Sequence, residues 1–333
     1  MLTIFWLGSP FFAPSLGALG CNVIRHDFKG PETFGWNDIV RLAGCVPDMV
    51  VVADKSRPPF VRGIETFPCL TAFLCIDSHI HSWYPRYAQA FDICMVSLRD
   101  HLPWFRNMRL ADDSVWWMPA FAKDQDLPRT MTAAWDLLFV GTVNAQTTPR
   151  RKIFLEKLRE EIPGRLHVTT GSYRDLYPQG KVILNYCEHG DLNFRVFEAL
   201  GCGCCLLTPA VENGQQELFR DGVHLRTYPP DDAHAAARAA LDLLAADPLR
   251  RTLAENGLAA IDAGHRSRHR AQNFLEKIDK MDVQKTIDRR LQQAPAIHDR
   301  YLRLLYLLHA ETSSGPYLRE TYLKEACRYP RGT

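Results

Sequence analysis

A short segment, "LNFRVFEAL", places an arginine and a glutamate three residues apart just ahead of a glycine- and cysteine-rich turn. Gly190 and Asp191 predict that a helix begins next, near Asn193. The free N–H groups at a helix start and the helix dipole bind anions such as phosphate. Arg195 would add a guanidinium fork that matches phosphate oxygens, and Glu198 could accept hydrogen bonds from a ribose diol. The alternative is a surface ion pair of the two residues, worth about 0.3 kcal/mol.

Two further groups of basic residues lie near the ends of predicted elements. Lys181 immediately precedes the apolar run "VILNY", and the run "LLFV" ends at Gly141 and Thr142, shortly before a basic cluster that begins at Arg150. Converging cations would neutralise a diphosphate leaving group without a metal ion. For the cluster at Arg150 taken alone, a solvated helix start is the simpler explanation.

In the N-terminal half, three polar residues follow the predicted strand "LTAFLCI". Asp77, His79 and His81 come directly after it, where the carboxyl end of a parallel strand would present them to a ligand. A histidine has a pKa near neutrality and suits the deprotonation of an acceptor hydroxyl. Taken alone, a histidine at a strand end is more often structural, and the sequence does not separate His79 from His81. Gly8, after the first strand, would allow close approach of a ligand or simply form a tight turn.

These residues are positioned by a regular alternation of apolar runs and helical segments. Continuous apolar runs of four to seven residues are typical of parallel strands covered on both faces, and their alternation with helices indicates βαβ units. Strands are predicted at 2–7, 21–24, 49–53, 70–76, 93–97, 137–140, 166–169, 182–186 and 204–208. Helices are predicted at 37–43, 84–90, 150–160, 193–200, 233–246 and 249–260.

The segment 116–135, "WWMPAFAKDQDLPRTMTAAW", has no clear period and is interpreted as a linker or hinge. From about Gly264 the chain becomes mostly helical. The sequence therefore predicts a doubly wound α/β domain at 1–130, a second at 131–275, and a helical tail at 276–333 that could pack back on the first domain. A ligand is expected in a cleft between the two domains.

Bulk composition excludes several classes of protein. The chain has 333 residues and a formal net charge of +2, which gives no general electrostatic case for binding nucleic acid. No signal peptide and no apolar run of about 20 residues is recognised, so membrane association is not expected. The tail helix "IHDRYLRLLYLLHAE" could lie on a membrane, but docking on the protein body is commoner. Homodimerisation through the tail stays open.

The ten cysteines lie mostly in apolar contexts, which favours buried, reduced thiols and a cytoplasmic location. Cys202 and Cys205 have C-x-x-C spacing, but no second pair at zinc-ligand spacing accompanies them. The packing of small side chains is the simpler interpretation, and neither a metal nor a cofactor is predicted.

Several motifs together resemble the C-terminal half of group 1 glycosyltransferases, above all their CgeB-like, spore-maturation branch. The quoted segments are "KVILNY", "NFRVFEALGCGCCLLTP", "GQQELFRDGVHLRTY" and "LLAADPLRRTLAENGLAAIDAGHRSRHRAQNFL", and the resemblance spans about 137–275. It implies the two-domain GT-B fold, a nucleotide diphosphate-sugar donor, and metal-independent transfer with retention of configuration. His265 and His269 match the family's ending, where a structural role is expected.

The resemblance also makes Glu198 the expected ribose contact, because it matches the second glutamate of the family's E-x7-E signature. The first glutamate of that signature falls on Gly190, and Glu188 is out of register. The resemblance places the donor on the second domain, with Phe194 among the expected contacts. The acceptor is left open among proteins, glycans, lipids and small molecules. A GT-B-like assembly protein that binds a nucleotide or sugar without turnover is the main alternative, and a nucleotide-sugar epimerase on the same fold is a third.

Overall fold

The structure is a computed structural model, and it describes residues 1–329. The chain folds into two compact units. The first unit contains residues 1–118 and the chain from Ala271 onward, and the second contains residues 119–270. These boundaries differ from the predicted ones at 130/131 and 275/276, because the predicted linker packs within the second unit and the tail packs within the first.

The first unit is built on a six-stranded sheet whose strands are all parallel, in the order β2-β1-β3-β4-β5-β6. Its strands are β1 Thr3–Gly8, β2 Asn22–His26, β3 Met49–Ala53, β4 Leu70–Cys75, β5 Ile93–Val96 and β6 Val115–Trp117. Its connecting helices are α1 Ala13–Ala18, α2 Trp36–Ala43, α3 Tyr84–Ala88 and α4 Leu102–Phe105. Every residue of β3 and β4 is buried, as expected for strands covered on both faces.

The second unit is built on a five-stranded sheet, also parallel, in the order β11-β10-β9-β7-β8. Its strands are β7 Trp135–Val140, β8 Leu166–Thr169, β9 Gly180–Leu184, β10 Leu206–Pro209 and β11 Arg226–Tyr228. Its helices are α5 Pro149–Glu161, α6 Tyr173–Leu176, α7 Phe194–Gly201, α8 Gln215–Leu218, α9 Ala233–Ala245 and α10 Asp247–Gly264. The two doubly wound parallel α/β units confirm the predicted fold class, and they contain two strands that were not predicted, β6 and β11.

Much of the predicted linker is part of the second unit. Ala122 exchanges backbone hydrogen bonds with the chain around Arg266, with N···O distances of 2.9 and 2.8 Å. The Arg266 guanidinium donates to the carbonyl oxygens of Lys123 and Asp126, at 3.1 and 2.8 Å. Gly201 faces this segment so closely that a Cβ there would lie 2.6 Å from the Cβ of Ala122. The segment lacks a sequence period because these distant side chains, rather than local periodicity, fix its backbone.

The tail shares the hydrophobic core of the first unit. Its helices are α11 Ser267–Ile278, which contains the unit boundary, then α12 Val283–Gln292, α13 Ala294–Ile297, a π-helical turn His298–Leu302, α14 Arg303–Thr312 and α15 Pro316–Ala326. Tyr301, Leu305 and Tyr322 belong to the same buried cluster as Phe73 of β4. The buried Arg290 also pairs with Asp92 at 2.9 Å, so these helices are integral to the first unit.

No helix in residues 1–329 combines the length and apolar character needed to cross a bilayer. The ten thiols are all unpaired. Burial raises the pKa of Cys202 and of Cys205 to about 12, which keeps both as neutral thiols at physiological pH. Cys202 and Cys204 pack in the core beneath the turn that follows α7.

Candidate functional site

The candidate site lies where the strand order of the second sheet reverses. From β7 the chain passes through α5 to β8 on one side, and from β9 it passes through α7 to β10 on the other. The loops that leave β7 and β9 therefore diverge at the carboxyl ends of two neighbouring strands. Ligands of doubly wound sheets bind at such a switch point.

Arg195 reaches from the first turn of α7 to the carboxyl end of β7. Its Nε lies 3.3 Å from the carbonyl oxygen of Val140, and its guanidinium lies over the ring of Phe139 at 5.7 Å from the centroid. A Cβ on Gly141 would lie 3.0 Å from Nη2, so glycine leaves room for the guanidinium. No carboxylate pairs with Arg195 anywhere in residues 1–329. The remaining N–H groups of its fork can therefore bind a ligand.

Lys181 does not join Arg195, which corrects the prediction that the two cations converge. Lys181 lies at the amino end of β9, and its Nζ donates to Asp136 Oδ1 at 2.7 Å. This ammonium and Arg165 hold the pKa of Asp136 below its usual range. The amino and carboxyl ends of a five-residue strand are about 13 Å apart. The ammonium is thus at the opposite edge of the sheet from the switch point.

Arg150 is also committed to partners within the protein. Its guanidinium pairs with Asp231, while the backbone N–H groups of Arg150 and Arg151 donate to the two carboxylate oxygens of Glu188, at 3.0 and 3.1 Å. The start of α5 is therefore capped by an internal carboxylate. Of the three predicted cations, Arg150 and Lys181 are neutralised within the protein and Arg195 is not.

Arg151 is a second arginine of the site that the sequence did not single out, since it stood beside Arg150 in one basic run. It is buried, and its Nη1 donates to the carbonyl oxygen of Thr142 at 2.8 Å. Its pKa is lowered by burial and by the charge of Arg195. Arg151 thereby fixes the loop after β7 close to Arg195, and its own guanidinium pairs with Glu188 at 4.0 Å.

α7 begins near Asn193, as predicted, and its N-cap is Asn193 rather than Asp191. The amide nitrogen of Asn193 lies 3.3 Å from Asn185 Oδ1 and 3.4 Å from Cys187 Sγ, whereas its buried Oδ1 has no hydrogen-bond partner in residues 1–329. The Asn193 side chain makes no capping hydrogen bond to the first N–H groups of α7. Phe194 packs edge-on against Phe121, with the ring centroids 5.3 Å apart. The helix start is thus anchored through Asn193, whose side chain does not cap it.

Glu198 lies one turn beyond Arg195, and its carboxylate makes no hydrogen bond or ion pair within residues 1–329. Burial and the negative charge of Asp126 raise its pKa to about 7, against the opposing charges of Arg195, Lys123 and Arg174. The i,i+3 pair with Arg195, considered as an alternative, is not formed. A carboxyl group poised between its two protonation states therefore faces an unpaired guanidinium.

Asp126 belongs to this site although the sequence placed it in a linker. It is fully buried, and it accepts hydrogen bonds from Tyr173 Oη at 2.8 Å and from Arg174 Nε at 2.6 Å. Burial followed by the charge of Glu198 raises the pKa of Tyr173 well above its usual range. Nothing in the local sequence indicates that residues so far apart meet.

The position of the missing signature glutamate has its own backbone conformation. Gly190 has a φ of +73°, in the left-handed region, and a Cβ there would meet no atom within 4 Å. Glu188, two residues earlier, is 7% exposed and held by the start of α5. Neither position offers a free carboxylate.

In the first unit, the loop after β4 is organised by a buried aspartate that the sequence did not single out. Asp54 Oδ2 accepts the backbone N–H groups of Ile76 and Asp77, at 2.9 and 2.8 Å, and Asp54 also accepts from the hydroxyl of Tyr84. His81 Nε2 lies 2.8 Å from Ser56 Oγ. This loop therefore follows the carboxyl end of β4 on a rigid hydrogen-bonded frame.

Two other predicted residues of this unit, His79 and Gly8, lie close to other groups of the protein. His79 lies near His101, whose pKa is lowered by burial and by the charge of His79. Gly8 has a φ of +109°, and a Cβ there would lie 2.1 Å from the carbonyl oxygen of Ala53. The close approach that Gly8 permits is between β1 and β3, not toward a ligand.

The histidines of "GHRSRHR" support the chain around them. Burial and the charge of Arg270 lower the pKa of His265 to about 4, and its ring packs 5.5 Å from that of Phe219. His269 Nδ1 accepts from the backbone N–H of Arg266 at 3.1 Å. This arrangement fits the structural role expected for both.

Two parallel, doubly wound α/β units with C-terminal helices define the GT-B glycosyltransferase fold, and solved structures bear this out. A complex of Anabaena Alr3699/HepE with UDP and glucose matches with a TM-score of 0.62 and 10% identity, over 84% of this chain and 100% of that one. Sucrose-phosphate synthase from Thermosynechococcus elongatus matches with a TM-score of 0.59 and 13% identity, over 84% and 99%. A UDP-N-acetylglucosamine 2-epimerase from Listeria monocytogenes, described as putative, matches with a TM-score of 0.53 and 12% identity, over 84% and 96%.

Residues 133–276 match the model of the family described as glycosyl transferase-like. No curated protein matches the chain. The matched region spans nearly all of the second unit, including Arg195, Glu198 and their surroundings. The family model covers less than half of the chain, and the solved structures show the GT-B fold.

Proposed function

We propose that this protein transfers a sugar from a nucleotide diphosphate-sugar to an acceptor, and that the donor binds at the switch point of the second unit. The observation that carries the proposal is the unpaired guanidinium of Arg195 at the carboxyl end of β7, in the first turn of α7. A diphosphate supplies the negative charge that such a site lacks. The family model and a structural neighbour solved with UDP-glucose support this choice of donor.

Each group of the site has a role in this proposal. The Arg195 fork and the start of α7 bind the diphosphate, and Gly141 leaves room for the guanidinium in this position. Glu198, when ionised, accepts hydrogen bonds from the ribose hydroxyls. Transfer develops negative charge on the departing diphosphate, and the fixed positive groups of Arg195 and Arg151 stabilise that charge without a metal ion. The resemblance to retaining enzymes makes retention of configuration part of the proposal.

The acceptor side rests on sequence reasoning. Asp77, His79 and His81 stay the candidates for deprotonating an acceptor hydroxyl. Of the three, His81 is the preferred candidate. Its ring lies beyond the carboxyl end of β4, and its Nε2 is held 2.8 Å from Ser56 Oγ. Replacement of each by alanine, with transfer to an acceptor as the readout, would identify the base.

The absence of a glutamate at position 190, the first position of the E-x7-E signature, favours one alternative function. Gly190 has no side chain, and Glu188 is engaged by the backbone of Arg150 and Arg151. A protein that lacks this carboxylate could bind a nucleotide or nucleotide-sugar without turnover. This non-catalytic binder is the second candidate.

Calorimetry with UDP and GDP, followed by donor-hydrolysis and transfer assays, tests both candidates. Arg195→Ala should weaken nucleotide binding by roughly 10- to 100-fold, because a charge-assisted hydrogen bond contributes about 1.5–3 kcal/mol. Lys181→Ala removes the same charge at the other edge of the sheet and should leave affinity within about twofold. Unchanged affinity in Arg195→Ala would overturn the proposed site.

The assays then separate the classes of protein. Binding without hydrolysis or transfer for any donor in a panel would favour the non-catalytic binder. Conversion of a donor in the absence of acceptor, without release of the nucleotide diphosphate, would indicate an epimerase.

A further inference from the structure

The first unit contains a cavity of about 380 Å³ that lies outside every site described so far. Four cationic side chains line it: Lys277, Lys280, Lys285 and Arg289. They come from the end of α11, the following turn and α12. Its volume is within the range of small-ligand sites.

These four cations outnumber the two carboxylates, Asp113 and Asp282, that also line the cavity. Within residues 1–329, their side chains form no ion pair, and Lys277 Nζ instead lies 5.3 Å from the centroid of the Trp116 ring. The two carboxylates that line the cavity are engaged locally. Asp282 accepts from the backbone N–H of Lys285 at 3.2 Å as the N-cap of α12, and Asp113 accepts from Ser114 Oγ at 3.2 Å.

Four unpaired cations around one cavity repel each other, and a bound polyanion would remove that repulsion. The indole does not offer an open stacking face, because Trp116 is 5% exposed and covered by Lys277. The site is therefore suited to a compact, multiply charged anion rather than to an aromatic base.

The cavity is also separate from the residues predicted for catalysis in this unit. Its wall includes Ser114, in the turn that enters β6, so it lies at the amino end of that strand. Asp77 and His81 follow the carboxyl end of β4, which runs parallel to β5 and β6. The two groups of residues thus lie at opposite edges of one parallel sheet.

We propose that this cavity is a second anion site, which binds a polyphosphate through Lys277, Lys280, Lys285 and Arg289. It is independent of the donor site proposed for the second unit. Occupation of the site draws α11 and α12 together through a shared counter-ion and stabilises the first unit.

Titration calorimetry with inorganic tripolyphosphate tests this site on the full chain. Because tripolyphosphate also resembles the donor diphosphate, the titration is made with wild type and with Arg195→Ala. Binding should persist in Arg195→Ala and should weaken at least tenfold when Lys280→Ala and Lys285→Ala are combined in that background. Raising the salt from about 50 to 500 mM should weaken it further, since exposed charges are screened.

The matched control combines Lys157→Ala with Lys324→Ala, which removes two exposed lysines elsewhere and should change affinity less than about twofold. Arg289→Gln provides a second variant, expected to weaken binding at least threefold. Tripolyphosphate should raise the Tm of the Arg195→Ala protein but not of that protein with Lys280→Ala and Lys285→Ala added. Three results would each overturn the proposal: no binding to Arg195→Ala protein, equal weakening by the control pair, or unaltered affinity in the Lys280/Lys285 variant. Failure of the donor site itself would instead appear as unchanged UDP affinity in Arg195→Ala.

Discussion

Glu65 in the first unit and Glu198 in the second are both buried glutamates, and burial raises the pKa of each to about 7. Their surroundings differ. Glu65 is fully buried, and neither of its carboxylate oxygens has a hydrogen-bond partner in residues 1–329. Glu198 is partly accessible and stands one turn from the unpaired Arg195 at a topological switch point. One glutamate is enclosed by the core, and the other is partly accessible near an unpaired guanidinium.

The difference shows why a perturbed pKa identifies a site only together with geometry. At Glu65, burial and the charge of Glu325 disfavour ionisation, while Arg328 and Arg290 only partly offset them. That cost destabilises the fold at neutral pH and yields no evident binding group. At Glu198 a similar cost leaves a carboxylate that a ribose diol could satisfy. The comparison therefore predicts that Glu65 affects stability and that Glu198 affects nucleotide binding.

The largest expected effect is on the pH dependence of stability. Glu65 has a usual pKa of 4.5 when unfolded and about 7 when folded. Its neutral form favours the fold fully below pH 4.5, and this contribution is lost as the pH rises to about 7, by roughly 3 kcal/mol in all. Glu65→Gln should remove this part of the decline in the free energy of unfolding, measured by urea denaturation from pH 4.5 to 8.

Glu320→Gln, an exposed change on α15, serves as the control and should leave the profile of wild type unaltered. The absolute stability of Glu65→Gln is a poorer readout, because a buried amide has its own desolvation cost at every pH. A Glu65→Gln profile parallel to that of wild type would show that Glu65 is not ionised on unfolding as described.

Parallel strands were the most predictable part of the fold. Because they are covered on both faces, they form continuous apolar runs such as "MVVVA" and "LTAFLC", which can be recognised from the local sequence alone. β6 and β11 were missed since three residues are too few to show a pattern. The segment at Ala122 was read as a linker because its backbone is held by Arg266, more than 140 residues away.

The candidate site was predictable in part for a related reason. Arg195 and Glu198 lie three apart on one helix, so local spacing placed them together. Lys181 precedes β9 and α7 follows it, and this order alone puts Lys181 at the opposite edge of a parallel sheet. The sequence held that information, whereas the contact between Asp126 and Arg174 depends on tertiary structure.

The second effect concerns nucleotide affinity. Glu198→Gln should weaken UDP binding at pH 8 by about 10- to 30-fold, since a hydrogen bond to a charged group contributes roughly 1.5–2 kcal/mol. The ionised carboxylate is the form that accepts both ribose hydroxyls, so wild-type affinity should rise as the pH increases through about 7. Calorimetry from pH 6 to 8 with both proteins measures this.

The nucleotide phosphate itself titrates near pH 6, and Glu198→Gln controls for it because both proteins bind the same ligand. Glu65→Gln should bind UDP like wild type at every pH. If Glu198→Gln kept the wild-type affinity and pH profile, the two glutamates would be alike in having only structural consequences.

The smallest expected effect is on stability, at Gly190, where the first glutamate of the E-x7-E signature is absent. Gly190→Ala and Gly190→Glu should each lower the free energy of unfolding by about 1 kcal/mol, because a side chain is strained at a φ of +73° although no atom blocks it. Gly164→Ala, at a φ of +75° with equally open surroundings, is the matched control and should cost about the same. Donor hydrolysis should be equal in the two Gly190 variants and in wild type, because Glu198 and Arg195 are unchanged. Faster donor hydrolysis in Gly190→Glu but not in Gly190→Ala would instead show that the absence of this carboxylate limits turnover. A glutamate at position 190 would then act together with Glu198.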